Sequence, residues 1–346
     1  MATTPVLLSG TPGSPYTQKM LAVLRYRLIP YRLLLGVDPT EFDLPKPKVR
    51  LLPTFYLPNA NGELEALVDS TPLIRRFETE FPDRNIVPPD PVIDFLDYLL
   101  EDFADEWLTK AMFHYRWHYR ADTDHAAAIL PRWRKAMQPE EEVRRMSQAF
   151  AERQTSRLYV VGSNDITTPV IEASYLRLLD ALKAHLETAP YLMGNRPGAC
   201  DFGFYGQLTQ LTHFDPTPMA EALQRAPRVF AWVDTLVDAS GVEPRDSDWI
   251  SRDAIPPTLR NLLNEVGRVY TPVMLANAKA LRSGEQEMRT QVDGKEWVQQ
   301  PFPYQGKCLV WLREKYAALS GPDRQAVDAI LAGTGCERLF EGQQSA

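Results

Sequence analysis

Along the first eighty positions the apolar residues switch between two spacings. Val6-Leu7-Leu8, Tyr31 to Leu35, Thr54 to Leu57 and Leu64 to Val68 are short apolar runs bounded by Gly, Pro or Asn, and they read as strands. Between them, Pro15 to Leu28 and Ser70 to Glu80 repeat apolar residues every three or four positions, the period of a helix with one buried face. The predicted order is β-α-β followed by β-β-α, with the last two strands joined by a turn at Pro58-Asn59-Ala60-Asn61-Gly62. A proline-rich stretch over 85–91 ends this pattern. Beyond it, long helical periodicities follow with little strand signal, the first running from Asp94 to Tyr119. From Ile255 the tail predicts a helix, then a hairpin that turns at Asp293-Gly294 between Met288, Thr290, Val292 and Trp297, then two more helices. Three segments result: an α/β domain over 1–84, an all-helical domain over 92–250, and an extension over 251–346.

Composition narrows the partners. With 346 residues, 44% of them hydrophobic, the chain holds enough apolar mass for two sizeable cores. No run approaches the roughly 18 apolar residues of a membrane span, and MATTPVLLSG lacks the basic start and apolar body of a secretory signal, so a cytosolic protein without a membrane partner is expected. Cys200, Cys308 and Cys336 are too scattered for a disulfide framework or a CxxC metal site, which suits a reducing compartment. A net charge of −7 without a concentrated basic patch argues against nucleic acid as the partner. His114 and His118 share a helical face, but the intervening Tyr-Arg-Trp lacks the glutamate of a zinc-binding HExxH, and no metal is expected.

The chemistry gathers at four corners. Ser14-Pro15-Tyr16 stands at the first strand-to-helix junction, Leu52-Pro53-Thr54-Phe55 before the third strand, Asp69-Ser70 at the start of the second helix, and Tyr191-Leu192-Met193-Gly194-Asn195-Arg196-Pro197-Gly198-Ala199-Cys200-Asp201-Phe202 within the helical part. Ser14 and Asp69-Ser70 also serve as plain helix starts, since Ser and Asp are favoured caps and Pro suits the first turn. In this order and spacing, the four motifs resemble the glutathione transferase superfamily, over roughly residues 5–240. The resemblance implies a thioredoxin-like N-terminal α/β domain followed by an all-α domain, with the tail as an addition.

Related glutaredoxin-type folds carry Cys-Pro-Tyr-Cys at the first corner. Here Ser14 and Thr17 stand at the thiol positions, so dithiol exchange is excluded there. The resemblance implies instead that glutathione is bound as co-substrate and that Ser14 stabilises its thiolate, with Tyr16 and Thr17 as the other hydroxyls at that corner. By the same resemblance, Tyr16, Leu52, Pro53, Asp69 and Ser70 contact glutathione. Leu52 acts through its backbone beside a cis Pro53, Ser70 with the helix amides holds the γ-glutamyl carboxylate, and Asp69 faces the ammonium. Phe103, Trp107, Met112 and Tyr115 lie near one helical face and form either core or the wall of a pocket for a hydrophobic electrophile. Asp94, Asp97, Glu101, Asp102 and Asp105 read as a solvated helix face. Near residue 198 the family's capping hydroxyl is replaced by Gly198 while Asp201 is kept, which leaves half of a capping box. The implied activity is that of a serine-type, detoxifying glutathione transferase working as a homodimer. A glutathione-dependent lyase or isomerase, or a non-catalytic glutathione-binding regulator, is the alternative on the same fold.

Overall fold

The computed structural model describes residues 4–35, 42–135 and 138–342, the side chains of residues 134 and 135 excepted. The chain opens with strand β1 (Val6–Gly10), helix α1 (Pro15–Tyr26), strands β2 (Tyr31–Leu35), β3 (Thr54–Pro58) and β4 (Leu64–Leu67), and helix α2 (Ser70–Glu80). Their sheet has the order β2-β1-β3-β4. β1 runs parallel to β2, with Val6 opposite Tyr31, and antiparallel to β3, with Leu8 opposite Phe55. A parallel pair needs a crossover, and α1 supplies it. Leu8, Met20, Leu24, Phe55, Ile74 and Phe77 fill the space between sheet and helices. This is the thioredoxin-like α/β unit expected from the corner motifs.

A helical domain follows. Helix α3 (Pro91–Phe103), a π-turn (Ala104–Leu108) and α4 (Thr109–His118) run on without a break, as the 94–119 periodicity predicts. Asp90 starts α3 by accepting from the amides of Val92 at 2.9 Å and Ile93 at 3.1 Å, and Pro91 takes the first position, where no amide is needed. Then come α5 (Arg120–Ile129), α6 (Arg132–Lys135), α7 (Glu140–Thr155), α8 (Thr168–His185), α9 (Ala199–His213), α10 (Pro216–Arg225) and α11 (Pro227–Leu236). Helix α9 is the central post, with Phe202, Phe204, Leu208 and Leu211 fully buried. It meets α1 at Gly206, where a Cβ would stand 2.6 Å from the Pro15 carbonyl oxygen. That close approach joins the two domains.

The extension wraps back over both. It comprises α12 (Pro257–Glu265), a second π-turn (Val266–Tyr270), α13 (Thr271–Ser283), strands β5 (Met288–Val292) and β6 (Lys295–Gln299), α14 (Pro303–Ala317) and α15 (Gly321–Leu331). The expected hairpin is present, and Asp293 at φ 50° and Gly294 at φ 74° take the two left-handed positions of a type I′ turn. Helices α14 and α15 lie on α3, where Phe95 meets the rings of Tyr316 and Phe340.

One expectation is overturned by this wrapping. The acidic face of α3 is not solvated: Asp97, Glu101 and Asp105 are buried, and so is Glu106 in the π-turn. Lys315 of α14 bonds Asp94 at 2.5 Å, the Tyr270 hydroxyl donates to Asp102, and the Gln305 amide donates to the Glu106 carbonyl at 3.2 Å. An amphipathic pattern identifies the polar face of a helix. Whether that face is wet depends on what folds over it, and here the extension does. Among the described residues no helix is long and apolar enough to cross a membrane.

Candidate functional site

Ser14 is the N-cap of α1, in an extended conformation at φ −97°, ψ 116°. Its Oγ accepts from the Thr17 amide at 3.2 Å and donates to the Leu52 carbonyl at 3.3 Å, which ties the first corner to the second. The Leu52-Pro53 bond is cis. The Thr54 hydroxyl donates to the Leu51 carbonyl at 2.8 Å, anchoring the strand that follows. The other two hydroxyls of the first corner are turned inward. Tyr16 donates to the Asp105 carbonyl at 2.7 Å, and burial, with Glu106 and Asp105 nearby, pushes its phenol well above its ordinary range. Thr17 is wholly buried against β1.

At the third corner Asp69 holds the strained backbone position φ 87°, ψ 108° before α2. Burial raises its carboxyl, while a hydrogen bond from the Tyr304 hydroxyl and the charges of Lys19 and Lys307 act the other way. Ser70 is buried, and its Oγ accepts from Lys19 Nζ at 3.1 Å, so its own proton remains available for an acceptor in front of α2. Lys19 also reaches Glu101 at 2.8 Å and Asp105 at 2.5 Å. Burial alone would lower its ammonium, but these carboxylates outweigh it and lift it to about 12. Burial likewise opposes the ionised form of Glu101, yet Arg75 and Lys19 hold it at about 2. Beside this pair burial dominates. It pushes Asp105 to about 6, Asp102 to about 7 and Glu106 to about 8, and brings Lys110 down to about 8. This buried acid and lysine group was not read from the sequence. The available signal was Lys19 itself, standing beside the apolar run Met20-Leu21-Ala22-Val23-Leu24, where an ammonium requires buried partners.

Residues 8–85 match the glutathione S-transferase N-terminal domain, and residues 140–235 match the glutathione S-transferase C-terminal domain, together about half of the chain. The chain belongs to the glutathione S-transferase superfamily. Among solved structures it is similar to a glutathione S-transferase of Methylobacterium radiotolerans in complex with glutathione sulfonate, at 17% identity, covering 71% of this chain and 95% of that one with a TM-score of 0.37. It is also similar to the Tau class glutathione S-transferase of mango, Mangifera indica, at 17% identity, with 71% and 96% covered and a TM-score of 0.42. A glutathione S-transferase of Rhodospirillum rubrum is 13% identical, with 75% and 91% covered and a TM-score of 0.38. No curated protein sequence matches the chain.

In this member of the superfamily the four side chains offered as a pocket wall are core. Phe103, Trp107, Met112 and Tyr115 are 1%, 2%, 6% and 0% exposed, so none presents a surface to a ligand in this conformation. Phe103 packs on Phe204 and Tyr270. The Trp107 indole donates to Ser174 at 2.8 Å and lies against Trp297 of the extension. Tyr115 donates to Glu221 at 2.6 Å. The face they share is covered by α8, α9 and the hairpin. His114 is held by Ser163 at 2.8 Å and Glu172 at 3.3 Å, and burial lowers it to about 4. Among the described residues no group of three or more His, Cys, Asp and Glu is arranged to hold a metal ion. Asp201 accepts from the Gly198 amide at 2.8 Å, the surviving half of the capping box.

Proposed function

We propose that this chain binds glutathione along the edge formed by Ser14, Leu52, Pro53, Asp69 and Ser70, with the Tyr16 hydroxyl turned away from it toward Asp105, and stabilises its thiolate for attack on a hydrophobic electrophile, in the cytosol and as a two-fold dimer. Ser70 and the α2 amides suit a carboxylate: a hydroxyl proton, a helix N-terminus and the Lys19 ammonium all favour negative charge there. Asp69 suits an ammonium that takes the place of the Tyr304 hydroxyl.

The observation that carries the reading is the disposition of the three hydroxyls at the first corner. Tyr16 is committed to Asp105 and Thr17 is enclosed, whereas Ser14 is half-buried and its bond to Leu52, at 3.3 Å, is longer than a good O–H···O bond. That proton is inexpensive to redirect toward a thiolate at the α1 N-terminus. A hydrogen bond to a charged group is worth about 1.5–3 kcal/mol, so Ser14→Ala is expected to slow turnover at neutral pH by roughly ten- to a hundredfold and to raise the pKa of the bound thiol, with glutathione affinity nearly intact. Thiolate absorbance across pH and calorimetric titration check this. An unshifted thiol titration removes Ser14 from the mechanism.

A second reading, a glutathione-binding protein without turnover, is favoured by the burial of Phe103, Trp107, Met112 and Tyr115, which leaves the electrophile without the expected wall. Retention on immobilised glutathione without conversion of an aryl chloride would support it over a transferase.

A further inference from the structure

Arg116 on α4 is 4% exposed, and Asp215, just ahead of α10, is wholly buried. Arg116 Nε donates to Asp215 Oδ1 at 2.9 Å and Oδ2 at 3.1 Å, and Nη2 to Oδ2 at 2.9 Å. Nη2 also donates to Gln210 Oε1 on α9 at 2.8 Å, and the guanidinium lies 4.8 Å above the Phe214 ring. A buried ion pair adds little stability over apolar residues of the same shape, because removing both charges from water costs about what their attraction returns. What distinguishes this pair is its remaining donor. Arg116 Nη1 reaches the Gly13 carbonyl at 3.0 Å, across 103 positions of sequence.

That carbonyl belongs to the peptide immediately before Ser14, and the rest of the turn is held as firmly. The Ser14 amide takes the Thr11 carbonyl at 3.1 Å. The Pro12 carbonyl receives Gln18 Nε2 at 2.9 Å and Gln210 Nε2 at 3.2 Å. The Leu130 and Trp133 side chains close on Gly13, where a Cβ would stand 2.3 Å from the one and 2.7 Å from the other. Every carbonyl from residue 11 to 13 is thus fixed, and two of the three are fixed from the helical domain.

We propose that Arg116, oriented by Asp215 and Gln210, is a positioning residue for Ser14: by locking the Gly13 peptide plane it sets the direction in which the Ser14 hydroxyl points at the thiol. This rests on the reading of Ser14 given above. A hydrogen bond to a thiolate weakens steeply with misalignment, so a loosened peptide plane costs part of what losing the hydroxyl costs. Glutathione's other contacts, at Leu52, Asp69 and Ser70, lie on other elements and are left in place.

The test uses the full chain carrying Arg116→Met with Asp215→Asn, which removes both charges together, and separately Arg116→Lys, which keeps the charge but cannot span Asp215, Gln210 and Gly13 at once. The expected result is an upward shift of the bound-thiol titration by about one unit, with turnover of chlorodinitrobenzene reduced roughly tenfold at neutral pH and recovering at high pH, while calorimetric glutathione affinity stays within about twofold. A purely structural role would lower the melting temperature and leave the thiol titration where it was, and that result in either folded variant overturns the proposal. Ser14→Ala separates the two levels. If it also leaves the titration unshifted, the reading of Ser14 falls and takes this proposal with it. If it shifts the titration while both Arg116 variants do not, the positioning role alone falls.

Discussion

Helix α9 begins at Gly198 without a capping hydroxyl, yet its start is not left open. The Cys200 amide, which an N-cap serine would satisfy, donates instead to Asp97 Oδ1 at 3.1 Å from the neighbouring α3. A Cβ on Gly198 would lie 2.4 Å from that same oxygen. The glycine and the borrowed carboxylate therefore depend on each other, and a reciprocal pair of substitutions measures it. Gly198→Ser installs a better N-cap residue but drives it into Asp97, at an overpacking cost of about 1–3 kcal/mol. Asp97→Ala removes the cap and costs about 1–2 kcal/mol. In the double variant the serine hydroxyl enters the space Asp97 vacates and takes the Cys200 amide, so the pair should cost about 1–2 kcal/mol less than the two single changes added together. Asp97→Asn serves as the control. Burial, with Glu101 adding and Arg75 opposing, raises the Asp97 carboxyl to about 8, so the residue is mostly neutral at pH 7 and the amide should cost less than alanine. Urea unfolding at constant m-value reads all four chains. Additivity within about 0.5 kcal/mol, or a Gly198→Ser chain more stable than the parent, refutes the reasoning.

The raised carboxyls make stability fall with pH. Asp97 and Glu106 sit at about 8, and Asp102 and Asp201 at about 7, against an unfolded value near 4, so the folded chain holds protons that the unfolded chain releases. Each contribution is complete below about pH 4 and is lost as pH rises through the folded value, so the unfolding free energy from urea titration should fall between pH 5 and pH 8, by about 1.4 kcal/mol per pH unit for each such group; a rise over that range sinks the argument. His114, lowered to about 4, acts the other way up to about pH 6.5, and Lys110, lowered to about 8, does so only above that value, so in the tested window the four carboxyls outweigh the His114 imidazole. Lys19→Met strands Asp105, and it should destabilise the fold by about 3–5 kcal/mol, with Asp105→Asn in the same chain recovering a substantial part; equal melting temperatures for the single and double variants would count against the Lys19 node.

The elements of the first eighty residues were legible almost position by position because their boundaries are written locally. Helix α2 over 70–80 starts after Asp69 and carries Pro72 in its first turn; in the extension the hairpin was legible on the same ground, since it turns at Asp293-Gly294, a pair that accepts two left-handed positions. The corner motifs were legible for the same reason. What escaped reading is held together across long separations. Lys315 and Asp94 are 221 positions apart, Gln305 and Glu106 are 199, and the carboxylate that caps α9 comes from 103 positions before Cys200. The aromatic stripe of Phe103, Trp107 and Tyr115 has the same period whether it lines a pocket or fills a core. What decides is the arrival of Trp297, Phe204 and Tyr175 against it.

The extension also changes what the acidic face is chemically. Facing water, Asp102, Asp105 and Glu106 would ionise near their ordinary values, and five neighbouring carboxylates would repel one another along one side of α3 and the π-turn. Under α14 burial raises Asp102, Asp105 and Glu106, whereas Glu101, clamped by Lys19 and Arg75, is held below its ordinary range. Linkage runs both ways: covering that raises these pKa values is itself favoured by the protons they hold. The same helix sends the Tyr304 hydroxyl to Asp69, one residue from Ser70, whose hydroxyl rests on Lys19. Proton occupancy of the acidic face, the seating of α14 and the electrostatics at Asp69 and Ser70 therefore form one thermodynamic unit, in which a change at any member is felt at the others through Lys19 and Tyr304.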